Sequence, residues 1–311
     1  MPLYGDINFI TITVQIEVFT TSNKKLGNIT LDENEKVKDI KKQIAALCPK
    51  LYVDRQSIRS ELKGKDIKDD LIIPSLAASK KVYVKDLGPQ IGWSTVFVLE
   101  YAGPLVLYAL VSLRPWVFYG DAAQGTSLST TAIIALGCWS VHYLKRILET
   151  LFVHRFSHGT MPIRNLFKNC GYYWGFTVYV AYHVNHPLFT PPPIIMQIVG
   201  LALFIVSELG NLSIHMLLRD LRPPGSTVRK IPVPNANPLT QLYNFVSCPN
   251  YTYEFYSWAG FTLLTSCVPA GLFALAGLYQ MTIWALGKHK NYKKEFSNYP
   301  KRRKAIIPFI I

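Results

Sequence analysis

The sequence lacks the fingerprints of the common nucleotide-handling folds. No Gly-x-Gly-x-x-Gly follows a predicted strand, no Walker motif occurs, and no Gly-x-Ser-x-Gly elbow is present. A classical nucleotide fold is excluded. Cysteines are few and unpatterned: Cys48, Cys138, Cys170, Cys248 and Cys267 form an odd set with no Cys-x-x-Cys spacing. That argues against a disulfide framework or a cysteine zinc site and leaves them as reduced packing residues. Acidic residues are scarce, 19 against 33 lysines and arginines, for a net charge of +14. No signal peptide opens the chain. Met1 to Asp6 leads into alternating polar and apolar residues, not a basic start and an apolar core, so insertion is expected to rely on the first span.

What the sequence has in quantity is apolar length. Half of its 311 residues are hydrophobic, and long apolar runs near 93–113, 131–152, 170–186, 194–210 and 255–286 approach or exceed the length of a bilayer span. The expected class is a polytopic α-helical membrane protein. Pro269 and Gly271 break the last run, which is long enough for a hairpin of two spans, giving about six in all. This count places every basic loop, the N-terminal region and the tail Lys288 to Lys304 on one side, the cytosolic side by the positive-inside rule. The positive charge therefore reads as topology and as attraction to headgroups or phosphorylated ligands, with no nucleic acid implied. Asn28, Asn211 and Asn250 open formal glycosylation sequons, but this topology puts none of them in a lumenal loop.

The N-terminal segment follows different rules. Ile10, Ile12, Val14, Ile16 and Val18 alternate with polar residues, the period of a half-buried strand. A turn at Thr21-Ser22-Asn23, a second strand near Gly27 to Leu31, and a helix burying Val37, Ile40, Ile44 and Leu47 follow. Arg55 to Arg59, a turn at Leu62 to Lys65 and a Val82-Tyr83-Val84 strand complete the order of a ubiquitin-like β-grasp domain over about 9–86. It has no Gly-Gly terminus and runs straight through the connector 87–93 into the membrane part, which argues against conjugation. The expected division is 1–86 for this domain and 87–311 for the membrane domain.

Polar groups inside the apolar runs are the candidate site. Glu100 lies within the first span, where an unpaired carboxylate is costly, so it should face the interior. His142, Lys145, Arg146 and Glu149 fall at i, i+3, i+4 and i+7, one charged face at the end of the second span, with Tyr143 beside it as a phenol able to polarise a carbonyl. Snorkelling charge is the competing account. In a helix over 207–222, Asn211, His215, Arg219 and Arg222 project within about 80° of one another. Asn250, Glu254 and Trp258 share a further face with Tyr251 alongside, although Asn250 could instead cap the helix. His154 and His158 have metal-like spacing, but no third ligand stands near them in sequence, and no metal is expected. Asn, Arg, Lys and Tyr at the ends of several spans suit a phosphorylated, amide-bearing ligand held between membrane helices.

Taken together, Asn211 with LRDLRPPG, then PNYTYE, then the ending YPKRRKAIIPFII resemble the steroid 5-alpha-reductase family of membrane NADPH-dependent reductases. HYLKRILETLFVHRFSHGTMP and the ubiquitin-like segment resemble its trans-2-enoyl-CoA reductase branch, which acts in very-long-chain fatty acid elongation. The likeness covers nearly the whole chain. It implies NADPH contacts from Asn211, Arg219, Arg222, Asn250, Glu254 and Tyr292, with the arginines on phosphate. It implies essential roles for Tyr251 and Lys145, and it aligns Tyr143 with the tyrosine that steroid reductases aim at the substrate carbonyl. His142, Arg146 and Glu149 are expected to bind substrate. The family's acidic residue four positions after the asparagine is His215 here, a departure within the cofactor contact.

The resemblance also implies an endoplasmic reticulum membrane location, a very-long-chain trans-2-enoyl-CoA substrate and contact with other fatty acid elongation enzymes. In such a reaction hydride adds to the β-carbon of the conjugated thioester, and an acid, for which Tyr251 is the first candidate beside Lys145 or Arg146, protonates the α-carbon. The acyl chain would lie in an apolar space within the spans, with CoA phosphates near Arg155, Lys168 or the 219–230 loop. A steroid or polyprenol reductase, a membrane methyltransferase and a scaffold acting through the β-grasp domain remain alternatives.

Overall fold

The structure is a computed structural model that describes residues 13–32, 35–72, 80–156, 159–223 and 228–311. It divides into two compact units, one running to Trp93 and including 158–165, the other made of 94–157 and 166–311.

In the first unit, β1 (Thr13–Thr20) and β2 (Lys25–Asp32) form an antiparallel hairpin whose turn places Asn23 at φ 61°, a left-handed conformation that asparagine tolerates well. The expected strand residues Ile10 and Ile12 lie outside the described residues. Helix α1 (Val37–Leu47) buries Val37, Ile40 and Ile44 at helical spacing. Strands β3 (Gln56–Arg59) and β4 (Lys81–Asp86) complete a sheet of order β2-β1-β4-β3, with β4 parallel to β1 and antiparallel to β3. This is the expected β-grasp order. Leu47 departs from the expected buried face: it is 42% exposed, covering only the backbone at Gly27, where a Cβ would stand 2.7 Å from its Cδ2. The buried Gln56 amide donates to the Lys41 and Leu51 carbonyls at 2.9 and 2.5 Å and ties helix to sheet.

The 87–93 connector contains a strand that periodicity does not show. Gln90–Gly92 (β5) pairs antiparallel with Thr160–Pro162 (β6). Three-residue strands are too short to show an alternation.

The closing residue of β4 carries a bidentate pair, Arg55 Nε and Nη2 on Asp86 at 2.5 and 2.7 Å, and this hydrogen bonding holds the Asp86 carboxyl below the usual range. A depressed carboxyl contributes stability above its unfolded pKa, which is lost as pH falls through the folded one. Asp86 is exposed and solvent-screened, so Asp86→Asn should lower the opening free energy of β3–β4 amides by less than about 1 kcal/mol at neutral pH. Hydrogen exchange should show that difference closing as the pH drops through the carboxylate range.

The second unit carries six long helices: α2 (Trp93–Ser112), α3 (Thr130–Phe152), α4 (Arg164–Val184), α5 (Ile194–Leu221), α6 (Pro249–Thr265) and α7 (Val268–Glu295). By length and composition three of them, α2, α5 and α7, can cross a membrane. Helix α3 is diluted by Lys145, Arg146 and Glu149, α4 by Arg164 and Lys168, and α6 has 17 residues. Six helices therefore stand where six spans were expected, three of them long and apolar enough to cross a membrane among the described residues. The apolar run beginning at Ile194 and the polar stretch after it form one helix, as the spacing predicts. The break in the final run comes earlier than Pro269 and Gly271 suggest. Ser266 adopts the left-handed region at φ 48°, ψ 27° and ends α6, while Pro269 falls in the first turn of α7, where a missing N–H costs nothing.

Candidate active site

The charged face of α3 points inward. His142 and Glu149 are each 2% exposed, so the snorkelling account does not hold. His142 Nδ1 lies 2.8 Å from Glu208 Oε1, and its Nε2 lies 3.4 Å from Glu254 Oε1. Lys145 Nζ bridges Glu208 Oε2 and Asn211 Oδ1, each at 2.8 Å. The Asn211 amide in turn donates to the Asn250 carbonyl at 3.0 Å and to Glu254 Oε2 at 3.2 Å. One network thus crosses α3, α5 and α6. Its chemistry is balanced: carboxylates from three positions face lysine, arginine and imidazoles, which is what keeps buried charge tolerable.

A second branch continues from Arg146, whose guanidinium donates to Glu149 at 2.7 Å and to the Tyr101 hydroxyl at 3.0 Å, with its carbon 5.1 Å from the Tyr101 ring. Glu149 Oε1 also meets His215 Nδ1 at 3.0 Å. His215 therefore pairs with a carboxylate supplied by α3. His154, just beyond α3, edges onto the His215 ring at 4.9 Å; burial and the nearby Arg146 push it down to about 3. Glu149, His154 and His215 bring possible metal-ligand atoms within 4.8 Å of one another, a carboxylate and second imidazole that sequence spacing did not place beside His154. Arg146 donates into this cluster, and Lys145 Nζ is 3.9 Å from Glu149. His158 lies outside the described residues.

Tyr143 sits fully buried against this network. Its ring lies 4.9 Å from His142, 5.4 Å from Trp139 and 5.9 Å from Trp258, and its hydroxyl has no hydrogen-bond partner among the described residues. A buried phenol without a partner is an unspent donor. Glu100 is also inward, accepting from Asn169 at 2.7 Å.

The remaining candidates border this network. Tyr251 borders α7, with Lys288 Nζ 4.9 Å from its ring centre and Trp284 at 6.2 Å; the cation beside it is Lys288, while Lys145 is taken up by Glu208 and Asn211. Asn250 occupies the second residue of α6, after the cap position at Cys248, so the capping account fails and its side chain stays without a hydrogen-bond partner among the described residues. Arg219 pairs with its neighbour Asp220 at 2.8 Å, and Arg222 ends α5. The polar stripe of α5 thus divides, Asn211 and His215 being buried and the arginines lying past the packed region. Tyr292 stacks on Tyr299 at 5.4 Å with Arg229 6.0 Å from its ring. The chain's end holds this edge in place: Cys248 N–H donates to the Ala305 carbonyl at 3.1 Å, and Arg303 is buried beside Tyr243 and Tyr299 with its guanidinium on the Pro232 carbonyl at 2.9 Å.

Glu208, Tyr101 and Lys288 were not singled out from the sequence. Glu208 carried the same signal as Glu100, a carboxylate inside an apolar run three residues before Asn211. Tyr101 and Lys288 carried none, since a tyrosine in a span and a lysine in a basic tail are common.

The 3-oxo-5-alpha-steroid 4-dehydrogenase family matches residues 159–311, and the ubiquitin-like domain of TECR matches 13–86. A Caenorhabditis elegans protein named "Probable very-long-chain enoyl-CoA reductase art-1" is 54% identical over 95% of this chain and 99% of its own length. The Dictyostelium discoideum "Very-long-chain enoyl-CoA reductase" is 46% identical over 96% and 100%, and a human "Trans-2,3-enoyl-CoA reductase-like" protein is 40% identical over 97% and 85%. With its apolar helices and its buried ionic network, the chain is a membrane protein of the steroid-dehydrogenase class. Within that class it belongs to the very-long-chain trans-2-enoyl-CoA reductase family.

Proposed function

We propose that the protein reduces very-long-chain trans-2-enoyl-CoA to saturated acyl-CoA with NADPH, the last step of a fatty acid elongation cycle. The observation that carries the reading is the buried Lys145–Asn211–Glu254 network flanked by the Tyr143 hydroxyl, which has no hydrogen-bond partner among the described residues. It lies in a chain whose relatives are named for this reaction. On this reading 1–86 is a docking or regulatory domain, and 87–311 is a catalytic domain of six spans in the endoplasmic reticulum membrane. The basic loops and both termini are cytosolic, and other elongation enzymes are the partners.

The donor set fits NADPH. Asn250 lies at the edge of the network, Arg222 has no acidic partner among the described residues, and Arg219, Glu254 and Tyr292 border the same ends of α5, α6 and α7. NADPH, when bound, supplies the hydride. Asn211, itself held by Lys145 at 2.8 Å, donates to Glu254 at 3.2 Å and fixes its position, so that a carboxylate acceptor faces an amide or ribose donor. His142, Arg146 and Glu149 hold the α3 face rigid beside the thioester. Tyr143 donates to the thioester oxygen as negative charge develops there. Tyr251, with Lys288 over its ring, donates the proton to the α-carbon and is recharged from the aqueous edge.

The test is NADPH consumption by detergent-purified protein given a very-long-chain trans-2-enoyl-CoA or, in parallel, an enone steroid. Oxidation with the thioester alone is expected. Oxidation with the steroid alone would move the assignment to the steroid reductases, and no oxidation with either would sink the reductase reading.

A further inference from the structure

A groove of about 430 Å³ opens on the outer side of α6 and α7, lined by Phe255, Ala259, Thr262 and Ser266 from one side and by Gly271 and Leu275 from the other. No Asp, Glu, Lys, Arg or His side chain lines it. Packing leaves it open because its walls are small: Gly271 has no Cβ, and one built there would only touch the Thr262 methyl at 3.4 Å. The Thr262 hydroxyl is turned back onto the Trp258 carbonyl at 2.8 Å, so its methyl is what the groove presents. Leu275 is 59% exposed at the rim.

The groove begins one helical turn beyond Tyr251, on the same face of α6. At about 100° per residue, Tyr251, Phe255, Ala259 and Thr262 fall within about 80° on α6, and Tyr251 itself stands about 60° from Glu254. Phe255, the first lining residue, comes one turn after Tyr251. From Tyr251 to Ser266 the helix climbs about 22 Å. A short acyl chain anchored by its thioester near Tyr251 does not reach that far. A very long one does, and it brings a hydrocarbon end whose only favourable surroundings are apolar.

We propose that this groove is the subsite for the methyl-ended part of the substrate's acyl chain, and that it makes the protein favour long chains. The inference rests on the reductase reading above. Each methylene seated in the groove adds to binding, so kcat/KM should climb with chain length once the chain passes Phe255. The test is kcat/KM for a series from trans-2-octenoyl-CoA to trans-2-docosenoyl-CoA, for the unmodified protein, Gly271→Phe and Ala259→Phe. Both variants fill the groove without touching the ionic network, and turnover of the shorter thioesters reports that they are folded. The expected result is a loss of about tenfold or more with docosenoyl-CoA and little change with octenoyl-CoA. Equal losses at every length would overturn the proposal. So would unchanged values at every length, which would assign the groove to bilayer lipid. If the unmodified protein reduced no member of the series, the reductase reading would fall and the subsite with it.

Discussion

Tyr251→Phe is expected to lower kcat by about two to four orders of magnitude, the range a positioned general acid supplies, with little change in NADPH affinity. The substitution removes one hydroxyl from a half-buried ring held by Trp284 and Lys288, so packing is kept. Tyr143→Phe removes a hydroxyl that has no hydrogen-bond partner among the described residues. It should therefore leave folding intact while costing about two to three orders of magnitude, as loss of an oxyanion donor does. Stopped-flow reduction of a single equivalent of enoyl-CoA, with NADPH affinity from fluorescence titration, separates chemistry from cofactor binding. Full turnover by Tyr251→Phe beside a dead Tyr143→Phe would transfer the acid role to Tyr143. Full turnover by both would remove phenols from the chemistry.

The β-grasp domain was legible because alternation and helical spacing are local signals, and Ile16, Val18, Ile40, Ile44, Val82 and Val84 occupy the core those signals predict. The face of His142, Lys145, Arg146 and Glu149 was legible for a related reason. Charges at i, i+3, i+4 and i+7 share one side of any helix, and a bilayer leaves that side only the interior. The spacing already offers Arg146 or Lys145 to Glu149, but which partners the charges take on other helices was not legible. Lys145 chooses Glu208 and Asn211, Glu149 chooses Arg146 and His215, and Tyr251 meets Lys288. Those pairings depend on how α5 and α7 rotate against their neighbours, and rotation is set by side chains distant in sequence. The β5–β6 pair was hidden for a simpler reason, since its strands lie about seventy residues apart and each is three residues long.

That rotation and spacing are fixed chiefly by glycine. Helices α5 and α6 run antiparallel in contact, and Gly200 and Gly260 meet backbone to backbone. A Cβ at Gly200 would stand 2.4 Å from the Leu264 nitrogen and 2.6 Å from the Gly260 carbonyl oxygen, and one at Gly260 would stand 2.7 Å from the Gly200 oxygen. Backbone atoms of a helix have nowhere to go, so any side chain at either position must push the helices apart. Small residues that allow such approach are the usual basis of helix association in a bilayer, where the hydrophobic effect gives no preference for protein over lipid. Separation is felt at the other end of the pair, where Asn211 reaches the Asn250 carbonyl and Glu254 at 3.0 and 3.2 Å; a shift of one ångström breaks both bonds and strands buried charge. Gly260→Leu and Gly200→Leu are therefore expected to destabilise by more than about 3 kcal/mol. In size-exclusion chromatography they should give little monodisperse protein and no reductase activity. Gly287→Ala is the control: open space surrounds that position, and alanine should leave assembly intact and raise stability slightly through helix propensity. Normal assembly of Gly260→Leu would mean that α5 and α6 are not held by this contact, and that the Asn211–Glu254 geometry is fixed from α3 instead.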